Sequence, residues 1–221
     1  MEIDPIYLLQ LMVNGIMLGL LYALIAVGLA LIFGVLEIVN FAHGEFLMAG
    51  AFAMAFALPA TGLAYWPSLF AAVVVTAVGG LILFELFLSR LHHGAFERSI
   101  LVTLALSIII LHAAQFAFSA NPRIVDTQYG FDGFSVGAIR VAWTRVIGAG
   151  AAIGAFALVI IGGLGNIPGS IAAALLLGLI ESWIGGFFEI VWQEAAVFVL
   201  MIAVLCLKPH GLFQRGAMRI G

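Results

Sequence analysis

A long run without charge is the feature that most limits how this chain can fold. Residues 19–34 read GLLYALIAVGLALIFG, which is apolar on consecutive positions rather than on alternate ones. In lipid, backbone polar groups must be paired internally, so a spanning segment is a helix or part of a closed barrel. Barrel strands alternate over about 10 residues, and this run does not. With 65% hydrophobic and 9% charged residues, against roughly half and a quarter in soluble domains, the chain is an integral membrane protein built from helices.

Seven segments are candidates for membrane helices. A span takes about 20 apolar residues, so the second and fifth segments, which are short and rich in Gly or Ala, fit least well. The longest polar stretch covers only residues 120–145, which leaves no room for a soluble domain. The sequence predicts an all-α fold, a polytopic transmembrane helix bundle of about seven spans with broken or short helices, in one domain over residues 1–221. The segments are residues 6–33, 44–60, 67–88, 99–119, 146–162, 170–187 and 191–207.

Several functional classes lack support in the sequence. The net charge is −3 and there is no basic stripe, so nucleic acid is not an expected partner. The stretch GFSVG around Ser135 fits the G-x-S-x-G pattern of serine hydrolases, but that pattern needs a turn from a strand to a helix in an α/β sheet. The histidines form no metal-binding pattern. We therefore expect no enzymatic activity and no metal site in this chain.

The distribution of basic residues predicts the orientation, because cytoplasmic loops of membrane proteins are enriched in Lys and Arg. Five of the 8 basic residues fall in the link at 89–98 and in the carboxyl-terminal tail. Placing both in the cytoplasm puts the amino terminus outside and leaves three arginines in the outer loop. The five are Arg90, Arg98, Lys208, Arg215 and Arg219.

Small residues recur at intervals of four, which lets helix backbones approach closely in lipid. They are Gly15, Gly19 and Ala23 in the first segment, Gly150 and Gly154 in the fifth, and Ala174 and Gly178 in the sixth. We interpret them as contacts between helices of one chain, with a dimer seam as the alternative.

A polar cluster lies between the first two segments. Glu37, Asn40, His43 and Glu45 fall within residues 37–45. Polar groups at membrane depth face water, a partner or a substrate, and a helix break exposes free N–H groups that could bind a carboxylate. The alternative is an ordinary interfacial loop in which Asn40 caps the second helix and Glu45 is favoured in its first turn.

Three stretches resemble the branched-chain amino acid permeases of bacterial ABC importers, a family that includes urea and amide permeases. The first, NGIMLGLLYALIAVGLALIFGVLEIVNFAHGEFLMAGAF, covers residues 14–52. The others are IIGGLGNIPGSIAAALLLGLIES at 160–182 and LKPHGLF at 207–213, in the same order as in the family. The blocks cover somewhat under half of the chain.

The resemblance implies a permease subunit in the bacterial inner (plasma) membrane. Its partners would be a second permease subunit, cytoplasmic ATPase subunits and a periplasmic substrate-binding protein. Any ATP would be bound by those partners, so the permease itself needs no cofactor. The resemblance also places the NFAHGEF stretch near the translocation path, with Gly44 allowing close backbone approach. The substrate-binding candidates are Asn14, Asn40, His43, Gly44 and Glu45.

One departure from the family is large. Residues 146–163 read VIGAGAAIGAFALVIIGG, without any charge, where the family carries a cytoplasmic loop that docks on the ATPase. The chain is thus expected to be a permease shortened by loss of that loop. The alternative function is a transport-deficient permease that acts as a passive pore or scaffold.

Overall fold

The structure is a computed structural model that describes residues 4–36, 38–62, 64–89, 96–119, 121, 129, 132–162, 167–188 and 190–207. These ranges contain seven α-helices, a π-helical turn at Phe84–Leu88 and two strands, β1 (Gly133–Val136) and β2 (Ile139–Ala142). Each helix overlaps one of the seven predicted segments, so the predicted helices are confirmed. In chain order, α1 to α7 are Pro5–Leu36, His43–Thr61, Tyr65–Leu83, Phe96–Phe118, Trp143–Gly162, Ile167–Phe187 and Ile190–Leu207.

The start of α1 is set by the pair Asp4 and Pro5. The Asp4 carboxylate accepts a hydrogen bond from the Ile6 amide at 2.9 Å, which satisfies one of the free N–H groups of the first turn. Proline suits the first helical position because its missing N–H would have no partner there. The 32 residues of α1 extend over about 48 Å at 1.5 Å per residue, well beyond a hydrocarbon core of about 30 Å. A helix that exceeds the thickness of the bilayer in this way is accommodated by tilting or by local thickening of the bilayer.

Four helices in the described ranges are long and apolar enough to cross a membrane. They are Pro5–Gly34, Tyr65–Leu88, Glu97–Phe118 and Pro168–Phe187. The second and fifth helices, predicted to fit least well, are not among them, and in α7 the apolar part is the shorter stretch Ala195–Val204. Large apolar side chains on the helices are solvent-exposed in the isolated chain, Phe116 by 95%, as expected of a surface covered by lipid.

Backbone contacts divide the chain into two compact units. The first comprises Met1–Leu31 and Tyr129–Gly221, and the second comprises Ile32–Gln128. The helix α1 therefore contributes residues to both units. The single domain expected over residues 1–221 stays a prediction.

In the first unit, α1 packs closely on α6 through glycine. A methyl group added at Gly15 would lie 2.8 Å from the Cα of Leu179, and one at Gly19 would lie 2.8 Å from the Cα of Leu175. On the opposite helix, a methyl group at Gly178 would lie 2.5 Å from the Cα of Gly19. Only hydrogen fits at these positions. The predicted role of the small residues of α1 and α6 as contacts within one chain is confirmed.

Hydrogen bonds extend this contact toward the start of α1. The Ser182 hydroxyl donates to the Leu11 carbonyl at 2.8 Å, and the Tyr7 hydroxyl donates to the Gly186 carbonyl at 2.5 Å. Low residue numbers of α1 thus meet high residue numbers of α6, so the two helices run antiparallel.

The small residues of α5 behave differently from the prediction. A methyl group at Gly150 would meet nothing within 4 Å, and this residue is exposed. Within residues 143–153, the part of α5 whose burial is described, the buried small residues are Ala149 and Ala152 instead, and a methyl group at Gly148 would strike the Leu21 side chain of α1. The prediction for Gly150 was wrong because a spacing of four marks a helix face without showing which face meets a neighbour. The surroundings of Gly154 are outside the described part of the structure.

The predicted all-α helix bundle is confirmed, and the described residues add to it one small antiparallel hairpin of β1 and β2. Gly133 pairs with Ala142 and Val136 with Ile139, and the turn contains Gly137 at a φ of 64°. A positive φ at the first central residue of a two-residue turn matches the right-handed twist of paired strands and requires glycine. The backbone N–H of Trp143 also donates to the Asp132 carbonyl at 3.1 Å, which joins the hairpin to the start of α5.

The core of the second unit is formed where α2 meets α4 and the π-helical turn. Ala42, Leu88 and Leu106 are buried there, with Phe46 and Leu83 packed against them. The π-helical turn continues α3, and it ends where the Ser89 N–H donates to the Phe84 carbonyl at 2.8 Å. This arrangement places the residues that follow α1 beside the face of α4 described next.

Candidate functional site

The connection between α1 and α2 is held by Asn40. Its side-chain oxygen accepts a hydrogen bond from the Ala42 N–H at 3.0 Å, and its carbonyl accepts one from the His43 N–H at 3.2 Å. Asn40 is only 8% exposed. The residue at the cap position is Ala42, which makes no side-chain capping bond, so Asn40 closes the turn before the helix rather than capping it. Asparagine suits this turn because its short amide mimics a backbone carbonyl.

A stripe of hydroxyl groups on α4 faces this connection. Ser99, Thr103 and Ser107 are spaced by four, so they share one face of the helix. The Thr103 hydroxyl lies 3.1 Å from the Val39 carbonyl and 2.8 Å from the Ser99 carbonyl. Ser99 and Thr103 are almost completely buried. The hydroxyl spacing in SILVTLALS is the sequence signal that could have identified this face, and the sequence analysis missed it.

Glu45, in the first turn of α2, has a hydrogen-bond partner among the described residues at only one of its two carboxylate oxygens. The Ser107 hydroxyl donates to its Oε1 at 2.6 Å. Its other oxygen, Oε2, is buried and has no hydrogen-bond partner among the described residues. A buried carboxylate oxygen without a partner is costly, so this group needs a bound water, a proton or a ligand atom.

A cavity of about 250 Å³ opens beside Asn40 and His43. The rest of its described lining is apolar and comes from the end of α1, from α2 to α4 and from the π-helical turn. A small pocket of this kind, mostly apolar with a few polar groups, is typical of sites for small molecules. Its lining residues are Ile32, Asn40, His43, Phe46, Gly80, Leu83, Phe84, Leu88 and Leu106.

Of the predicted site residues, Asn40 and His43 line this cavity, and Glu45 lies in the first turn of α2 but is not among the lining residues. Gly44 is exposed, and a methyl group there would meet nothing within 4 Å, so the expected close backbone approach is not seen in the described part of the chain. Glu37, part of the polar cluster in the sequence, lies outside the described residues.

Asn14 belongs to the first unit, where it has different neighbours. Its side-chain oxygen accepts hydrogen bonds from the Arg145 guanidinium at 2.7 Å and from the Gln10 amide at 3.1 Å. These residues line a second cavity of about 250 Å³ together with the hairpin.

A buried acid in α6 was missed by the sequence analysis. Glu181 is 9% exposed, and its two oxygens accept hydrogen bonds from the Tyr22 hydroxyl at 2.5 Å and the Gln193 amide at 3.1 Å. Both oxygens are therefore satisfied, and the bonds link α6 to α1 and α7. An acidic residue within the apolar run LLLGLIES was the available signal, since such residues in spans have a partner or a function.

A third cavity, of about 640 Å³, lies between α1, α6 and α7. Its described lining is apolar apart from the hydroxyl groups of Tyr22 and Ser170, and the Tyr22 hydroxyl is already bound to Glu181. This cavity therefore offers little to orient a polar solute.

The described residues do not form the serine hydrolase site that the G-x-S-x-G pattern suggested for Ser135. This residue lies on β1 opposite Arg140, in a hairpin followed by the start of α5. The sharp turn from strand to helix that exposes a hydrolase nucleophile is therefore not formed at Ser135. No group of three His, Cys, Asp or Glu side chains that could hold a metal occurs in the described part of the chain.

The fold and these cavities define a polytopic helical membrane protein with sites of small-solute size. Comparison with known proteins identifies the family. The model of the family described as branched-chain amino acid transport system / permease component matches residues 11–143 and 130–205. The chain belongs to this family.

Three relatives illustrate the match. The high-affinity branched-chain amino acid transport system permease proteins LivH of Escherichia coli K12 and LivH of Salmonella typhimurium LT2 are each 24% identical to this chain, over 95% of it and 96% of their own length. BraD of Pseudomonas aeruginosa PAO1, with the same description, is 23% identical over 94% of this chain and 96% of its own. No solved structure matches the chain significantly.

The relatives contain positions that this chain lacks. The alignment with LivH of Escherichia coli runs over 297 residues, whereas this chain has 221. The two pieces of the family match also overlap at residues 130–143, so the match does not run through this region as one continuous segment. The chain therefore lacks positions that these relatives have, whereas the loss of the ATPase-docking loop at residues 146–163 stays a prediction.

Proposed function

We propose that this chain is the membrane-spanning permease subunit of an ABC importer for branched-chain amino acids or a related small solute. It is not itself an ATPase in this proposal. It works with a second permease subunit, with cytoplasmic ATPase subunits that bind ATP, and with a periplasmic substrate-binding protein. Membership of the family and the names of the relatives support this function.

The observation that carries the proposal is the cavity beside Asn40 and His43. Its described lining combines these two polar side chains with the side chains of Leu83, Leu88 and Leu106, among others. A branched aliphatic solute would pack against the apolar wall, while the amide and the imidazole would orient its polar end. Cavities for small ligands usually have this division between many apolar contacts and few polar ones.

The test is uptake of radiolabelled leucine by the complete transporter in proteoliposomes. We expect His43→Ala to lower uptake at unchanged membrane insertion, and His112→Ala to serve as the matched control because His112 is exposed and does not line the cavity. Since Asn40→Ala would also break the turn, Asn40→Asp is included. The aspartate keeps an acceptor for the Ala42 N–H and removes the amide donor. Unchanged uptake in both His43→Ala and Asn40→Asp would mean that the polar cluster of residues 37–45 is an ordinary interfacial loop without a role in transport.

The shortened region leads to a second expectation, about coupling. A permease without the loop that docks on the ATPase lacks the contact through which nucleotide binding could favour one conformation over another. We therefore expect weak substrate-stimulated ATP hydrolysis in the native complex, and more after insertion of a family-type loop near Gly150. Strong stimulation of the unmodified complex would show that another cytoplasmic segment docks the ATPase.

The alternative of a passive pore or scaffold receives no support from the comparisons, since the relatives are described as permease proteins. Recovery of the ATPase subunits with the purified chain distinguishes the two functions. A permease subunit recovers them, through whichever cytoplasmic segment binds the ATPase in the absence of the family loop, whereas a scaffold without a motor recovers none.

A further inference from the structure

The cavity of about 250 Å³ beside Asn14 in the first unit contains charges of both signs that are not paired with each other. Arg145 of α5, Arg140 of β2 and Asp132, which precedes β1, line it together with Gln10 and Asn14 of α1. The Arg145 guanidinium donates to the side-chain oxygen Oδ1 of Asn14 at 2.7 Å and has no carboxylate partner among the described residues. Asp132 likewise has no side-chain partner there. The cavity therefore separates a cation from an anion.

The position of Arg145 is unfavourable for the helix that carries it. It lies in the first turn of α5, where the helix dipole disfavours positive charge. It is also half-buried, so the guanidinium is only partly hydrated. A guanidinium has five N–H donors, and the contact with Asn14 leaves others available for a carboxylate.

The walls of this cavity are fixed in place by Gln10. Its amide donates to the Arg140 carbonyl at 3.0 Å and its oxygen accepts from the Arg140 N–H at 2.8 Å, while the same amide also lies 3.1 Å from the Asn14 oxygen. These bonds tie the hairpin to α1. The cation and the anion are therefore held on elements that are joined through backbone groups.

We propose that this cavity binds the charged end of a zwitterionic amino acid. The carboxylate pairs with Arg145, which Asn14 positions, and the ammonium pairs with Asp132. The ligand carboxylate and ammonium take the place of a direct ion pair between Arg145 and Asp132. Arginine forms strong charge-assisted hydrogen bonds with carboxylates. The inference rests on the proposed function for the choice of ligand, but it concerns a site separate from the Asn40 and His43 cavity.

Binding to the full-length chain in nanodiscs tests the assignment of each charge. The probes are L-leucine, L-leucine methyl ester, which lacks the carboxylate, and 4-methylpentanoate, which lacks the ammonium. We expect Arg145→Gln to lower the affinity for leucine and for 4-methylpentanoate by about tenfold to a hundredfold. The affinity for the ester should not change. Asp132→Asn should lower the affinity for leucine and for the ester but not the affinity for 4-methylpentanoate. Arg98→Gln, at an exposed position on α4, is the matched control and should change none.

Asn14→Asp provides a variant that keeps the local structure. The new carboxylate has nearly the shape of the amide, remains beside Arg145 and neutralises it, so the fold is retained while leucine binding falls by at least tenfold. Thermal unfolding verifies that the variant is folded. Unchanged leucine affinity in both Asn14→Asp and Arg145→Gln would overturn the proposal.

The outcomes also separate this inference from the proposed function. If the complete transporter imports leucine and Arg145→Gln does not affect leucine binding, the inference fails alone. If leucine binds as described but the native complex does not import it, the proposed function fails alone. If Arg145→Gln weakens only the attachment of the substrate-binding protein, the cavity is a docking surface and the zwitterion site is refuted.

Discussion

Replacing Gly178 by alanine is expected to weaken the contact between α1 and α6. The new methyl carbon would lie 2.5 Å from the Cα of Gly19 and 2.6 Å from the carbonyl oxygen of Gly15, whereas ordinary contacts are 3.4–4 Å. The obstructing atoms are backbone atoms, so no side-chain rotation can relieve the overlap. The helices must separate by about 1 Å, and a gap of that size loses a quarter to a half of each dispersion contact along the seam.

The expected change in the free energy of unfolding follows from two opposing terms. Overpacking costs about 1–3 kcal/mol, while alanine favours a helix over glycine by up to about 1 kcal/mol. The separation also lengthens the bond from the Ser182 hydroxyl to the Leu11 carbonyl, which is 2.8 Å in the native chain. The net expectation is a loss of about 1–2 kcal/mol.

Gly150→Ala is the matched control, because the same methyl group would meet nothing within 4 Å there. It should leave stability unchanged or raise it by up to about 1 kcal/mol through helix propensity alone. Both variants are measured by unfolding in mixed detergent micelles with increasing SDS, followed by circular dichroism and tryptophan fluorescence. Equal stability of Gly178→Ala and Gly150→Ala would refute the reasoning, since it would mean that α1 and α6 are not in backbone contact.

Three further predictions concern buried polar groups and orientation. Glu45→Gln keeps an acceptor for Ser107 and exchanges the unpartnered carboxylate oxygen for an uncharged amide group. Burying a neutral amide costs less than burying a charge, so stability in the same SDS assay should rise by about 1 kcal/mol; a fall would show that Oε2 has a partner in the membrane. Ser68 is completely buried and its hydroxyl has no partner among the described residues, so Ser68→Ala should be neutral or stabilising by about 1 kcal/mol in thermal unfolding, and a loss above that size contradicts this. A cysteine engineered near His93 should react with an impermeant maleimide only from the cytoplasmic side, and one near Gln128 only from the opposite side; reversed labelling would exclude the orientation predicted from the basic residues.

The sequence by itself determined the class of the protein and the places of its helices. Long charge-free runs specify membrane helices through local chemistry, because every backbone group in lipid must be paired within its own segment. The spacing of Gly15 and Gly19 also identified a packing face correctly, since glycine removes the side chain that would prevent close approach. The polar cluster of residues 37–45 could be found in the same way, as an exception in an apolar chain.

Tertiary structure alone decided which polar groups meet. The bond between Arg145 and Asn14 joins residues 131 positions apart, and that between Tyr22 and Glu181 joins residues 159 apart. Gly150 shows the same limit, because its spacing resembled that of Gly19 while its face remained open. Such pairings depend on the rotation and register of each helix against its neighbours, and these are set by the sum of many weak packing contacts. A local pattern shows that a helix has a polar or small-residue face, but only the packed bundle determines what that face contacts.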